Sequence, residues 1–116
     1  MSSSSDTIGG FDGGTYASPD AWEPGDIGYG YTSSDTLVQG VNKFNPAVCD
    51  GGGTGPCFVP FTLSAPGDIV ADNPGVISGS PITNEQFTVT HRVTAESSQA
   101  FGTYQTTIIY NATANY

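Results

Sequence analysis

Positive charge is what this sequence has least of. Lys43 and Arg92 are its two basic residues, set against 11 acidic ones for a net charge of −9. Two cations cannot neutralise a run of phosphates, so binding to a nucleic-acid backbone is not expected. An anionic membrane surface repels the chain for the same reason. Long apolar runs are missing too: none approaches the roughly 18 residues of a spanning helix. No basic segment followed by an apolar one opens the chain, so the expectation is a soluble protein lacking any export signal or anchor. Histidine occurs once, as His91, and there is no Gly-x-Ser-x-Gly elbow, so hydrolase machinery is not visible. Apolar residues reach 36%, below the roughly 45–50% of globular chains on a count that includes glycine.

Glycine and proline fill the gap, with 16 and 8 copies in 116 residues. Both oppose long helices, and the length suits one domain with tails. Residues 1–35 are rich in Gly, Ser and Asp, with aromatics at irregular intervals: Phe11, Tyr16, Trp22, Tyr29 and Tyr31. Asp12-Gly13-Gly14, Ser18-Pro19-Asp20 and Glu23-Pro24-Gly25-Asp26 are turn signals. This stretch reads as an irregular acidic arm whose aromatics pack on the main body.

Residues 36–116 read as that body. A first strand is expected at 36–44, ended by Asn45-Pro46. A second spans 57–63, with Val59, Phe61 and Leu63 on one face. Pro60 lacks an N–H, which places that strand at an edge or a bulge. Short strands are expected at 68–71 and 75–78. Residues 86–93 alternate cleanly, with Phe87, Val89, His91 and Val93 on one side. Residues 102–116 alternate over a longer span, with Tyr104, Ile108, Tyr110, Ala112, Ala114 and Tyr116 sharing a face. Period two in β-branched and aromatic residues is the strand signature. The expected fold is all-β, an antiparallel β-sandwich of the Ig-like or Greek-key type.

The segment Phe87-Thr88-Val89-Thr90, Ser97-Ser98-Gln99 and Gly102-Thr103-Tyr104-Gln105-Thr106-Thr107-Ile108-Ile109-Tyr110 resembles the C-terminal sandwich end of bacterial surface proteins. It is similar to WxL cell-wall domains and related terminal domains of secreted proteins. Tyr110-Asn111-Ala112 stands where such domains carry Trp-x-Leu. The resemblance therefore implies a surface protein, without carrying over peptidoglycan binding.

Cys49 and Cys57 frame a seven-residue glycine-rich loop. The spacing and the even count predict a disulfide and an oxidising compartment. A zinc site would need more ligands than one histidine completes. His91, between Val89 and Val93, reads as a packed histidine with a hydrogen-bond partner rather than a general base. Asp20, Glu23 and Asp26 lie three apart in one loop and could offer oxygens to calcium. Turn geometry accounts for the same acids without a metal, so no metal ligand is assigned and Ca²⁺ is the one cofactor kept in view. Trp22, Tyr29 and Tyr31 could serve as stacking surfaces for a sugar, or plug the end of the sandwich. Lys43, the sole lysine, is either an edge residue that blocks sheet-to-sheet pairing or a partner for a cross-link to Asn111 or Asn115.

These residues point to a non-catalytic, extracellular structural or interaction module of a bacterial cell-surface protein. Its partners would be other protein subunits or a cell-wall or glycan surface. Two alternatives are a self-assembling filament or virion decoration subunit, and a carbohydrate-binding module. Nothing in the sequence assigns a catalytic residue.

Overall fold

A computed structural model describes residues 7–49, 55–64, 67–72 and 86–112. Six strands occur among them: β1 (Asp20–Ala21), β2 (Gly28–Ser33), β3 (Leu37–Val38), β4 (Val41–Asn42), β5 (Cys57–Pro60) and β6 (Val89–Thr94). The helical content of the described residues is one 3₁₀ turn at Pro46–Val48, capped by Asn45. β1, β5, β2 and β6 form a four-stranded sheet in that order, antiparallel throughout, and β3 and β4 form a two-stranded ribbon. Among the described residues the regular structure is almost wholly β, in keeping with a composition that opposes long helices.

The centre of the sheet is not where the alternation of the sequence is longest. β2 is buried at all six positions, although it lies in the stretch expected to be an irregular arm. Its pattern Gly28-Tyr29-Gly30-Tyr31-Thr32-Ser33 puts aromatics on one face and glycines on the other. Residues 9–11 pair with one edge of the strand, and its glycine face leaves room for the Phe11 side chain. Tyr29 N–H donates to the Gly9 carbonyl at 2.9 Å, and Phe11 N–H donates to the Tyr29 carbonyl at 3.0 Å. A Cβ on Gly28 would collide with the Gly10 carbonyl, and one on Gly30 would sit 2.9 Å from both Phe11 Cβ and the Val59 carbonyl oxygen. Residues 1–35 therefore do not end in an arm beside the body. From Asp20 onward they supply half of its main sheet.

On the tyrosine face, Tyr31, Val38, Phe44 and Val59 form the main buried cluster, with Tyr16, Phe61, Val70 and Val89 packed against it. The expected continuous strand over 36–44 is instead a hairpin. Gln39 and Gly40 take φ of 52° and 76°, the positive pair that closes a two-residue β-turn of the kind matched to strand twist. Asp72 Oδ2 holds the turn by accepting from Gln39 N–H at 2.8 Å. The ribbon thereby turns Val38 into the core.

β5 runs between β1 and β2, so Pro60 does not mark an edge strand. It sits at the strand's last position, opposite Gly30 and beyond the β1 pairing at Phe58, where a missing N–H interrupts little. β6 keeps the expected side of its alternation: Val89, His91 and Val93 stand opposite Ser33, Tyr31 and Tyr29. Residues 68–71 form no strand; the Asp68 and Asp72 carboxylates accept hydrogen bonds from other segments. The expected strand at 75–78 lies outside the described residues. The expected strand over 102–116 is not formed in its described part: of residues 102–112, Gln105 alone makes a bridge and none is buried. Side chains attach this segment instead. Tyr104 hydroxyl accepts from the Gln99 amide, which also donates to the Thr7 carbonyl at 3.3 Å, and Tyr110 meets His91 on β6.

Candidate functional site

His91 gathers the most chemistry on the tyrosine face. β2 and β6 pair in a register that sets Tyr31 opposite His91 and Tyr29 opposite Val93. From there Tyr29 hydroxyl reaches His91 Nδ1 at 3.0 Å, and Tyr110 hydroxyl reaches Nε2 at 2.9 Å. Phe61, one residue past β5, stacks on both rings, 5.0 Å from Tyr29 and 5.5 Å from His91. A neutral imidazole has one donor and one acceptor nitrogen, while an imidazolium has two donors. Each phenol can rotate to donate or accept, so this Tyr-His-Tyr chain stays satisfied in either charge state. Burial, and then the neighbouring Tyr110, push the Tyr29 phenol above its ordinary range.

A second group lies deeper. Tyr31 hydroxyl donates to Asp68 Oδ2 at 3.2 Å, and Thr62 hydroxyl donates to Asp68 Oδ1 at 2.6 Å. Burial first, then the charge and hydrogen bond of Asp68, raise Tyr31 far above the usual phenol range. Burial and Asp68 also raise Tyr16, whose hydroxyl donates to the Ile69 carbonyl at 2.7 Å. Lys43 is occupied here: its Nζ donates to the Tyr16 carbonyl and stands 3.9 Å over the Tyr16 ring. Burial lowers the Lys43 pKa, and the charge of Asp68 opposes that shift. Of its two suggested cross-link partners, Asn111 lines a different part of the surface, and Asn115 lies outside the described residues.

The three stacking candidates all pack within the protein. Tyr31 is 1% exposed and Tyr29 8%. Trp22 stacks on Phe11 at 4.4 Å, takes the edge of Phe58 at 5.4 Å and carries the Arg92 guanidinium 4.9 Å over its ring. Gly30 makes the room for this cluster. The calcium candidates are not gathered. Among the described residues no group of three or more His, Cys, Asp or Glu side chains is placed to hold a metal ion. Asp26 instead closes its own turn: its carboxylate accepts from Glu23 N–H at 2.7 Å, with Gly25 at φ 99° behind Pro24. Asp20 accepts from Ala21 N–H.

Cys49 and Cys57 form a disulfide, with Cα atoms 5.7 Å apart, and bury with Ala21 in a small cluster of their own. The bridge fixes the chain after the 3₁₀ turn to the start of β5.

Beside the Tyr29–Phe61 stack opens a cleft of about 500 Å³. One wall is residues 7–10, another 61–64, and a third 106–109 with Asn111. Leu63 is fully exposed there and Ile109 is 78% exposed. Sequence reasoning missed Phe61, Asp68 and Tyr110 as partners of this face, because their contacts depend on tertiary placement. The Gly-Tyr-Gly-Tyr alternation of β2 was the signal that could have placed Tyr29 and Tyr31.

The geometry defines an all-β protein with antiparallel sheets and one disulfide. Among the described residues no helix is long and apolar enough to cross a membrane. Compared with known proteins, the chain matches no family model, no curated protein and no solved structure.

Proposed function

We propose that the chain is a non-catalytic, extracellular β-sandwich that serves as a structural or interaction module of a bacterial cell-surface protein of the WxL-like kind. The four-stranded sheet and the β3–β4 ribbon on its tyrosine face are read as the two layers. The observation that carries the structural reading is that the conspicuous side chains are engaged within the chain itself: Trp22, Tyr29 and Tyr31 pack against its own rings, and both ring nitrogens of the one histidine are hydrogen-bonded to its own phenols. The Cys49–Cys57 bridge supports an oxidising, extracellular setting.

An antibody raised against the chain tests the location. It should label intact, unpermeabilised cells of the source organism, and labelling that needs permeabilisation would overturn the reading. Self-assembly is a second reading, favoured by the fully exposed Leu63 and Phe101. Size-exclusion chromatography with light scattering decides it, since assembly requires species heavier than one chain.

A further inference from the structure

Building on the interaction-module reading, we propose that the cleft beside Tyr29 and Phe61 binds a neutral oligosaccharide. Its volume of about 500 Å³ falls within the roughly 300–1,000 Å³ of small-ligand sites. Its chemistry differs from that of the chain as a whole. The protein carries 11 acidic residues, yet among the described residues no charged side chain lines this cleft. A smaller depression next to it, about 120 Å³, shares residues 7–10 but is lined by Asp12 and Glu96. The larger cleft thus accepts an uncharged ligand without stripping water from a carboxylate, and it offers an ionic ligand no countercharge.

The walls interleave neutral polar groups with apolar ones. Ser64, Thr107 and Asn111 bring hydroxyls and an amide, each able to donate and accept, beside Phe61, Leu63 and Ile108. A wholly apolar ligand would leave those polar groups unpaired. A pyranose matches the mixture, since its hydroxyls surround faces of C–H bonds. An extended peptide is less well served, because it binds by adding to a strand edge. Neither residues 61–64 nor 106–111 form a strand. The ligand class is therefore a saccharide, and its contacts come from loop side chains rather than from Trp22 or Tyr31.

Saturation-transfer NMR on the full chain with its disulfide intact tests this. The probes are neutral hexasaccharides of glucose, N-acetylglucosamine, xylose and mannose, an oligogalacturonate, and a peptide copying residues 102–112. Transfer to at least one neutral saccharide and none to the oligogalacturonate is expected. Thr107→Asp and Asn111→Asp should each weaken binding at least tenfold. Thr90→Asp, on β6 outside the cleft, should leave it unchanged. Circular dichroism and urea unfolding confirm that each variant is folded.

Absence of transfer to every neutral saccharide overturns the proposal, as does binding that both cleft aspartates leave intact. Binding of the peptide alone also overturns the saccharide class, while the interaction-module reading stands. Labelling that requires permeabilised cells removes the module reading whatever the glycan result.

Discussion

β2 and residues 102–112 share one kind of pattern and meet different fates. Both alternate side chains in period two, and the second does so over more residues with richer β-branched content. Yet β2 is buried at every position, while no residue of 102–112 is buried. The difference lies in the second face and in the edges. In β2, Gly28 and Gly30 leave the second face bare, so Phe11 and Trp22 can lie on it. Both edges of the strand are hydrogen-bonded, to β6 on one side and to β5 and residues 9–11 on the other. In residues 102–112 the second face carries Thr103, Gln105, Thr107 and Ile109, all exposed. Alternation creates a two-faced ribbon, but a strand also needs partner edges.

The strongest way to break this contrast is to remove the ring at its centre. Tyr31→Ala should destabilise by about 3–5 kcal/mol, the range for deleting a buried aromatic ring, measured by urea unfolding. A loss under about 1 kcal/mol, the centre of the distribution for all point mutations, would show that the core does not depend on β2. Next comes the bridge that fixes β5. Opening the Cys49–Cys57 disulfide should cost about 2–3 kcal/mol in the chain-entropy account. Intact mass of the native protein should fall two hydrogens below the fully reduced value. Full thiol labelling without reductant would contradict the bridge.

The glycine face gives a smaller effect of opposite chemistry. Gly30→Ala places a methyl 2.9 Å from Phe11 Cβ and the Val59 carbonyl oxygen, so overpacking should cost about 1–3 kcal/mol. An unchanged urea midpoint would mean that Phe11 does not pack on the glycine face.

How much of this was legible beforehand follows from where the signal lives. The face of β6, the disulfide and the Pro24-Gly25 turn depend on local chemistry or alternation, and residues 86–93, the cysteine spacing and the turn residues displayed each of them. β2 was hidden because alternate glycines dilute an apolar signal. A strand whose partner packs backbone to backbone then looks like a loop. The hairpin at Gln39-Gly40 was hidden because a non-glycine residue takes a positive φ there, held by Asp72 from 33 residues away. The cleft joins three segments distant in sequence, and no local pattern announces such a meeting.

The pH dependence sharpens the role of the tyrosine face. An unfolded tyrosine ionises near 10.0, and native Tyr31 is raised well above that, mainly by burial and then by Asp68. Below pH 10 both states hold the proton. Above it, the unfolded chain releases a proton that the native chain retains, so stability falls as pH rises. Tyr16 and Tyr29, also raised, add to the fall. Lys43 acts the other way just below 10.5, where its lowered native pKa makes stability rise with pH. Tyr31→Phe should cost about 1.5 kcal/mol at neutral pH, the lower end for a hydrogen bond to a charged group. It should also flatten the loss above pH 10. An equally steep alkaline loss in the variant would place the responsible phenol elsewhere.

The smallest expected effect tests the other half of the contrast. Ile108 and Ile109 are neighbours in a segment that makes no ladder among its described residues, and both line the cleft but differ in burial: Ile108 is half-buried, while Ile109 is 78% exposed. Ile109→Ala should change stability by about 0.5 kcal/mol or less, as for an exposed site with no special contact. Ile108→Ala should cost more than that, yet less than the roughly 2–5 kcal/mol of a fully buried isoleucine. A loss at 108 in that full range would mean that the segment is core in solution and completes the sheet. A larger loss at 109 than at 108 would mean its register is shifted by one residue, because a single step exchanges the two faces of a ribbon. Near-zero loss at both would leave Tyr110 on His91 as the main tie between this segment and β6. Tyr110→Phe, which keeps the ring but removes the hydroxyl 2.9 Å from Nε2, would then loosen the segment. Faster amide exchange over residues 102–112, with β2 unchanged, is the measurement that shows it.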